Sequence, residues 1–163
     1  MPALVAFVIA IIIGTFFFSK EGGEANKNAQ ILLEQLNKEG QKSQSLAENG
    51  SYTSKDEVAL YIYKFNKLPK NFITKKEAMA LGWDAKNGNL WQISGGKSIG
   101  GDRFSNREKR LPEADGRKWF ECDVNYNGGR RGAERILYSN DGLIYYTPDH
   151  YEHFYLLYEK RMQ

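Results

Sequence analysis

The 163-residue sequence predicts an α+β domain, with N-terminal helices packed on an antiparallel β-sheet. Two capping boxes, at 54–57 and 74–77, each precede residues with helical spacing. After about residue 95, polar and apolar residues alternate and a Gly-containing turn separates two β-branched or aromatic runs, which is typical of neighbouring strands. Helices followed by a block of strands indicate an α+β fold.

The first 19 residues contain a charge-free run, residues 3–18, that is typical of a signal peptide or a membrane anchor. As a helix this run would be about 24 Å long, shorter than the ~30 Å hydrocarbon core of a bilayer. We therefore expect residues 1–19 to be a cleaved signal peptide or a retained anchor. The domain would then be secreted, or held outside the cytoplasm with membrane contact only through residues 3–18.

Residues 20–50 are rich in Lys, Glu, Gln, Asn and Ser. Their one apolar cluster, at 31–33 and Leu36, fits a single helical face. This composition predicts a polar linker or pro-segment with a short helix, so the folded domain would cover residues 51–163.

The first predicted helix begins at the cap residue Ser54 and stops before Pro69. The second begins at Thr74 and ends at Gly82, a residue suited to follow a helix C-terminus. Lys75 and Lys76 lie in its first turn, where the helix dipole disfavours cations. They are either solvated surface residues or, alternatively, part of a site that holds an anion at the helix start.

Strand alternation in residues 119–125 places Glu121 and Asp123 on one face and Cys122 on the other. The runs 135–139 and 143–147 flank an Asn-Asp-Gly connection and predict a hairpin. Residues 150–158 read as a final strand. In a strand, His150 and His153 would point to opposite faces, which argues against a metal ion shared between them.

The composition and the motif tests exclude several classes of site. One cysteine, Cys122, excludes an internal disulfide and any multi-cysteine metal centre, and its strand position favours a small core residue. The glycine-rich segment 95–101 is not a phosphate loop, because that motif needs glycine where Trp91 stands. The net charge of +3 is too small to drive coating of nucleic acid by charge alone. The sequence therefore predicts no metal site and no cofactor.

A set of residues without any cysteine or metal remains: Lys75, Glu121, Arg131, Arg135 and His150. A carboxylate can take the proton of an attacking hydroxyl, and an imidazole can give one to a leaving oxygen. Fixed cations can stabilise charge that builds on phosphate oxygens. The set suits phosphodiester cleavage without a metal, although these residue types are common and alone leave other functions open.

Five strings carry a family resemblance: KLPKNFITKKEAMALGW, GKSIGGDRFSNRE, DGRKWFECDVNY, RILYSNDGLIY and DHYEHF. Over residues 51–158, the sequence closely resembles the barnase-like, guanyl-preferring microbial ribonucleases. The resemblance implies the microbial ribonuclease fold for residues 51–163, and a monomeric endoribonuclease that cleaves single-stranded RNA after guanosine. The reaction would pass through a 2′,3′-cyclic phosphate that water then opens.

The resemblance also implies roles for single residues. Glu121 matches the general base and His150 the general acid. Arg131 and Arg135 match the phosphate-binding arginines, and Lys75 matches the lysine that supports the transition state. Tyr151 matches the tyrosine beside the acid, where it would either bind the phosphate of the substrate or be a packed aromatic residue. The guanine-binding loop corresponds to Phe104, Ser105, Asn106, Arg107 and Glu108.

The sequence departs from the family pattern at three positions. Arg130 stands where the family has an aromatic residue, Gly142 where it has tryptophan, and Asn66 where it has a histidine at the end of the first helix. The first two departures bear on the strictness of the guanine preference.

Two further functions stay open as alternatives. One is a membrane-tethered or delivered ribonuclease toxin. The other is a non-catalytic module that binds RNA or an inhibitor, which is disfavoured because both proton-transfer residues are present. The resemblance also suggests a barstar-like acidic inhibitor protein, which would contact the basic residues Lys75, Arg107, Arg131 and Arg135.

Overall fold

A computed structural model describes residues 27, 30–34 and 46–160 of the chain. The chain divides into two compact units, Met1–Ser45 and Leu46–Gln163. In the first unit, residues 30–34 are helical, with Ile31 and Leu32 exposed. The predicted signal peptide or anchor, residues 1–19, lies outside the described residues. Within the described ranges, no helix is long and apolar enough to cross a membrane.

The second unit contains a six-stranded sheet in which the strands lie side by side in chain order. The strands are β1 (Phe72–Ile73), β2 (Ser98–Phe104), β3 (Trp119–Asp123), β4 (Arg135–Ser139), β5 (Leu143–Thr147) and β6 (Tyr155–Glu159). From β2 to β6 every pairing is antiparallel, and β1 pairs with β2 in parallel. The α+β prediction with an antiparallel sheet is confirmed, and so is the β4–β5 hairpin.

In the second unit, the described residues before β2 form three helices: α1 (Lys55–Phe65), α2 (Lys75–Ala80) and α3 (Leu90–Ser94). The capping box predicted at Thr74 is present, with the hydroxyl accepting from the Glu77 N–H and the Glu77 carboxylate accepting from the Thr74 N–H. At the other end, the N–H groups of Gly82 and Trp83 donate to the carbonyls of Met79 and Ala78. This is a Schellman motif, and Gly82 supplies the left-handed residue it needs, with φ +92°.

The helix α1 covers one face of the sheet. The cluster that joins them consists of Val58, Ala59, Ile62, Cys122, Val124, Ile136 and Ile144. Cys122 is 1% exposed, and burial raises the pKa of its thiol well above the usual value. The predicted core role of Cys122 is therefore confirmed. Because neighbouring residues of a strand alternate, Glu121 and Asp123 lie on the other face, which α1 leaves free.

The predicted final strand is too long, because β6 begins at Tyr155 and not at residue 150. His150 and Tyr151 have left-handed backbones, with φ of 56° and 78°. The Tyr151 N–H donates to the Thr147 hydroxyl, and the N–H groups of Glu152 and His153 donate to the Asp149 carboxylate. These N–H groups are therefore not available for the backbone hydrogen bonds of a strand. The two histidines therefore lie in a loop, and the argument that placed them on opposite strand faces is wrong.

Two short elements are absent from the sequence-based expectations. The helix α3 has five residues, and β1 has only two. Elements of one turn or one pairing are too short to produce a hydrophobic period, so no pattern marked them. The contacts of the unit also extend upstream of Ser51, where Leu46 is buried and Glu48 pairs with Lys67 at 2.8 Å.

Gly100 provides a test of how β2 and β3 approach each other. A Cβ at this position would lie 2.6 Å from the Cβ of Cys122 and 2.7 Å from Cδ1 of Phe72. We expect Gly100→Ala to lower the free energy of unfolding by about 1–3 kcal/mol through overpacking, measured by urea denaturation. Gly132→Ala is the control, because among the described residues no atom lies within 4 Å of a Cβ there. Equal stability of both variants would contradict the close approach.

Candidate active site

The Glu121 carboxylate is the centre of the candidate site. Its side chain is 7% exposed, and its strand β3 presents it on the face that α1 leaves free. Lys75 Nζ lies 2.5 Å from Oε1, and the Tyr151 hydroxyl donates to Oε2 at 2.6 Å. The first turn of α2 and the loop after β5 thus meet on one buried carboxylate. Lys75 serves an anion, whereas Lys76 is an exposed surface residue.

The surroundings of Glu121 keep it ionised. Burial raises the pKa of this carboxyl, but the hydrogen bonds from Lys75 and Tyr151 and the charges of Lys75 and Arg135 outweigh it, so the pKa lies below its ordinary value. Burial and then the Glu121 carboxylate raise the pKa of the Tyr151 phenol well above its usual value. Tyr151 therefore remains a hydrogen-bond donor and Glu121 an acceptor near neutral pH.

A second buried carboxylate, Asp123, holds two of the predicted cations. Arg131 donates from Nε and Nη2 to its two oxygens at 2.5 and 2.7 Å, and Arg135 Nε lies 2.9 Å from Oδ1. Burial lowers the pKa of Arg131, but the bond to Asp123 outweighs it and raises the pKa overall. Arg131 also lies over the Trp83 ring at 5.6 Å. Asp123 thereby fixes both guanidinium groups on the Glu121 face of the sheet.

His150 stands in the loop of residues 148–154, called here the 148–154 loop. Its backbone N–H donates to the Ala133 carbonyl at 3.2 Å, and its ring lies 4.6 Å from the Tyr151 ring. The Asp149 carboxylate accepts hydrogen bonds from the N–H groups of Glu152 and His153 in this loop and from the hydroxyl of Thr147 at the end of β5. The imidazole itself is exposed, so a ligand can reach it.

The predicted guanine-binding residues belong to residues 104–111, called here the 104–111 loop. Asn106 is buried, and its side-chain amide both donates to the Leu111 carbonyl and accepts from the Leu111 N–H, at 2.9 and 3.0 Å. These two bonds close the loop, so the Asn106 side chain shapes the loop and is not free to contact a ligand. Phe104 stacks on Tyr151 at 5.2 Å, while Arg107 and Glu108 are exposed.

Two cavities meet at His150. The first has a volume of about 380 Å³ and is lined by residues of the 104–111 and 148–154 loops. The second has a volume of about 310 Å³ and is lined by His150 together with Trp83, Arg130, Arg131 and Arg135. A ligand that fills both would pass the imidazole at the boundary between them.

Similarity to known proteins shows the family of this chain. The ribonuclease family profile matches residues 55–158. The chain belongs to the ribonuclease family. A ribonuclease of Heyndrickxia coagulans is 58% identical over 99 residues, which cover 61% of this chain and 91% of the relative. Ribonucleases of Bacillus intermedius and Bacillus pumilus are also 58% identical over 99 residues, and the chain spans only 61% of the length of each.

The structure brings the sequence-predicted residues of this ribonuclease family member to one face of the sheet. Lys75 and Tyr151 both donate hydrogen bonds to Glu121, and Arg131 and Arg135 both pair with Asp123. The sequence reasoning gave no role to Asp123, although strand alternation had placed it on the Glu121 face. It also missed Asp102, whose carboxylate accepts the Lys75 N–H at 2.9 Å and so supports the start of α2.

The three residues that depart from the family pattern lie at two different cavities. Arg130 lines the cavity of about 310 Å³ beside Arg131 and His150. Gly142 and Asn66 instead line a different cavity, of about 440 Å³, together with Phe120 and Tyr138 of the opposite sheet face. Gly142 therefore lines neither of the two cavities that meet at His150.

One group of possible metal ligands lies beside the site. Asp149, Glu152 and His153 have ligand atoms within 4.8 Å of one another, and His153 Nδ1 lies 2.6 Å from Asp149 Oδ2. His153 and Glu152 are exposed. None of the three is a predicted catalytic residue.

The ionised Glu121 makes the stability of the fold depend on pH. Because its folded-state pKa lies below the ordinary value of 4.5, its contribution is present above that pH and is lost as the pH falls through the folded pKa. We expect the wild type to lose more free energy of unfolding than Glu121→Gln between about pH 6 and about pH 3, measured by urea denaturation. The control variant Glu113→Gln, which removes an exposed carboxylate, should lose as much free energy of unfolding over this pH range as the wild type. Identical losses in the wild type and Glu121→Gln would show that the carboxylate is not held as described.

Proposed function

We propose that this chain is a metal-independent endoribonuclease that cleaves single-stranded RNA after guanosine. The observation that carries the proposal is the ionised, buried Glu121, bonded to Lys75 and Tyr151 on the same sheet face as the Arg131 and Arg135 pair. A base, an accessible imidazole and fixed cations are together the groups that this reaction requires.

In the first step, the ribose 2′-oxygen attacks the adjacent phosphorus and its proton passes to Glu121. The bond from phosphorus to the 5′-oxygen of the next nucleotide breaks, and His150 supplies the proton which that oxygen needs. The step yields a 2′,3′-cyclic phosphate. An ionised carboxylate oxygen offers two lone-pair directions, so Glu121 can accept this proton while Lys75 and Tyr151 remain nearby.

In the second step, the two residues exchange roles. Water attacks the cyclic phosphate and gives its proton to His150, while the 2′-oxygen leaves and takes the proton held by Glu121. The negative charge on the non-bridging phosphate oxygens is largest in the transition state of each step. Lys75, Arg131 and Arg135 carry the positive charge that stabilises it.

The two cavities at His150 fit the two sides of the bond that is cleaved. A guanine base in the 104–111 loop cavity can donate its N1–H and amino group to the Glu108 carboxylate, while loop N–H groups donate to its O6. The leaving nucleotide then extends toward Arg130 and Trp83. The Arg130 guanidinium offers a plane on which a base can stack, in place of an aromatic ring.

The face that would bind RNA also fits an acidic inhibitor protein. Arg107 and Arg130 are exposed there, beside the partly buried Arg131 and Lys75. Such an inhibitor would attach through carboxylates at the positions that the RNA phosphates otherwise occupy, and charge complementarity would speed the association.

The catalytic roles can be tested on a single-stranded RNA oligonucleotide with one guanosine, in excess EDTA. We expect cleavage directly after that guanosine, and we expect Glu121→Ala and His150→Ala each to lower kcat/KM at least about 100-fold. Glu113→Ala removes an exposed carboxylate as the control. Cleavage that both active-site variants leave unchanged, or that needs an added metal, would contradict the mechanism.

The guanine preference can be tested at Glu108. Glu108→Gln replaces two anionic acceptors by one neutral carbonyl, so we expect the ratio of kcat/KM for guanylyl over adenylyl dinucleotides to fall about 10- to 100-fold. Glu152→Gln changes an exposed carboxylate of the 148–154 loop, which lines the same cavity, and should keep the ratio. A ratio that Glu108→Gln leaves unchanged would refute base recognition by this carboxylate.

A further inference from the structure

Arg110 joins the two loops that form the cavity beside His150. From the 104–111 loop, its Nη1 donates to the carbonyl oxygen of Tyr151 at 3.0 Å, and its Nη2 donates to that of Glu152 at 2.5 Å. The guanidinium also lies 5.9 Å over the Phe154 ring. The two carbonyls belong to the residues that directly follow His150. One side chain of the 104–111 loop therefore holds the peptide groups next to the imidazole.

The backbone that Arg110 holds is of a kind that needs support. His150 and Tyr151 both have positive φ, which costs energy for residues with a side chain and persists only where neighbours fix the conformation. Thr147 and Asp149 fix the N–H groups of this loop from the strand side. Arg110 fixes its carbonyl oxygens from the opposite side.

The same guanidinium is close to the residue proposed to bind guanine. Its Nη1 lies 3.8 Å from Glu108 Oε2. Both side chains are exposed, and so long an ion pair contributes little, so we expect Arg110 variants to leave guanine binding by Glu108 nearly unchanged. The sequence reasoning assigned no role to this position.

We propose that Arg110 is a positioning residue that sets His150 against the leaving oxygen by holding the 148–154 loop on the 104–111 loop. This inference rests on the proposed function, in which His150 gives a proton to that oxygen. A planar fork of donors suits two adjacent carbonyls, whereas the single ammonium of lysine does not reproduce it. The geometry of the side chain, and not only its charge, therefore matters.

The test compares two guanosine substrates that differ in the leaving group. Guanylyl-adenosine needs a proton on its leaving oxygen, whereas the 4-nitrophenyl ester of guanosine 3′-phosphate releases a phenolate that needs none. We expect Arg110→Ala and Arg110→Lys to lower kcat on the dinucleotide about tenfold, the size of one lost hydrogen bond to a charged group, with KM nearly unchanged. On the nitrophenyl ester both variants should match the wild type.

Two further variants make the result interpretable. Lys109→Asn removes the neighbouring positive charge of the same loop at a φ of 52° that asparagine tolerates, and it should match the wild type on both substrates. His150→Ala should lose activity on the dinucleotide and keep it on the ester. This difference between the substrates is the result expected when the general acid is missing.

The outcomes separate the inference from the proposed function. If Arg110→Ala loses activity equally on both substrates, or if Arg110→Lys is fully active, the positioning role is overturned. If His150→Ala shows the difference between the two substrates and the Arg110 variants do not, only this inference fails. If His150→Ala itself shows no difference, the proposed proton transfer fails, and the positioning role fails with it.

Discussion

The arrangement of the site depends on one constraint, which is that a carboxylate is buried in the middle of the sheet. A buried charge is costly unless other groups pair with it and hydrogen-bond to it. Glu121 meets this requirement through Lys75 from α2 and Tyr151 from the 148–154 loop. Asp123 meets it through Arg131 and Arg135. The groups that pair with these two carboxylates come from a helix, a strand and two loops, which therefore meet on one face of the sheet.

The start of α2 shows how the same constraint overrides a local preference. A lysine in the first helical turn is disfavoured by the helix dipole. At Lys75 this cost is offset on two sides, since the ammonium pairs with Glu121 and the backbone N–H is bound by Asp102. Asp102 follows a register shift in the pairing of β2 with β3, beside Gly100. The position of the cation is therefore set by three elements together.

Local patterns predicted the parts of this fold that local interactions determine. The capping box at Thr74 and the alternation around Glu121 depend on residues three or fewer positions apart, and the structure has both. The 148–154 loop could not be predicted in this way, because its aromatic sequence favours a strand, whereas side-chain bonds from Thr147 and Asp149 hold it in a loop. The bond from Arg110 to this loop joins residues 41 positions apart, and no spacing rule reaches so far.

The protein without substrate holds its proposed base in a weakly basic state, and this fits the proposed reaction. Lys75 and Tyr151 lower the pKa of Glu121, which keeps it ionised but makes it a poorer proton acceptor. A bound phosphate presents anionic oxygens that compete for Lys75. If the ammonium turned to the phosphate, the carboxylate would lose a hydrogen bond and its pKa would rise. Substrate binding itself would then increase the basicity of Glu121 at the step in which it takes the 2′-proton.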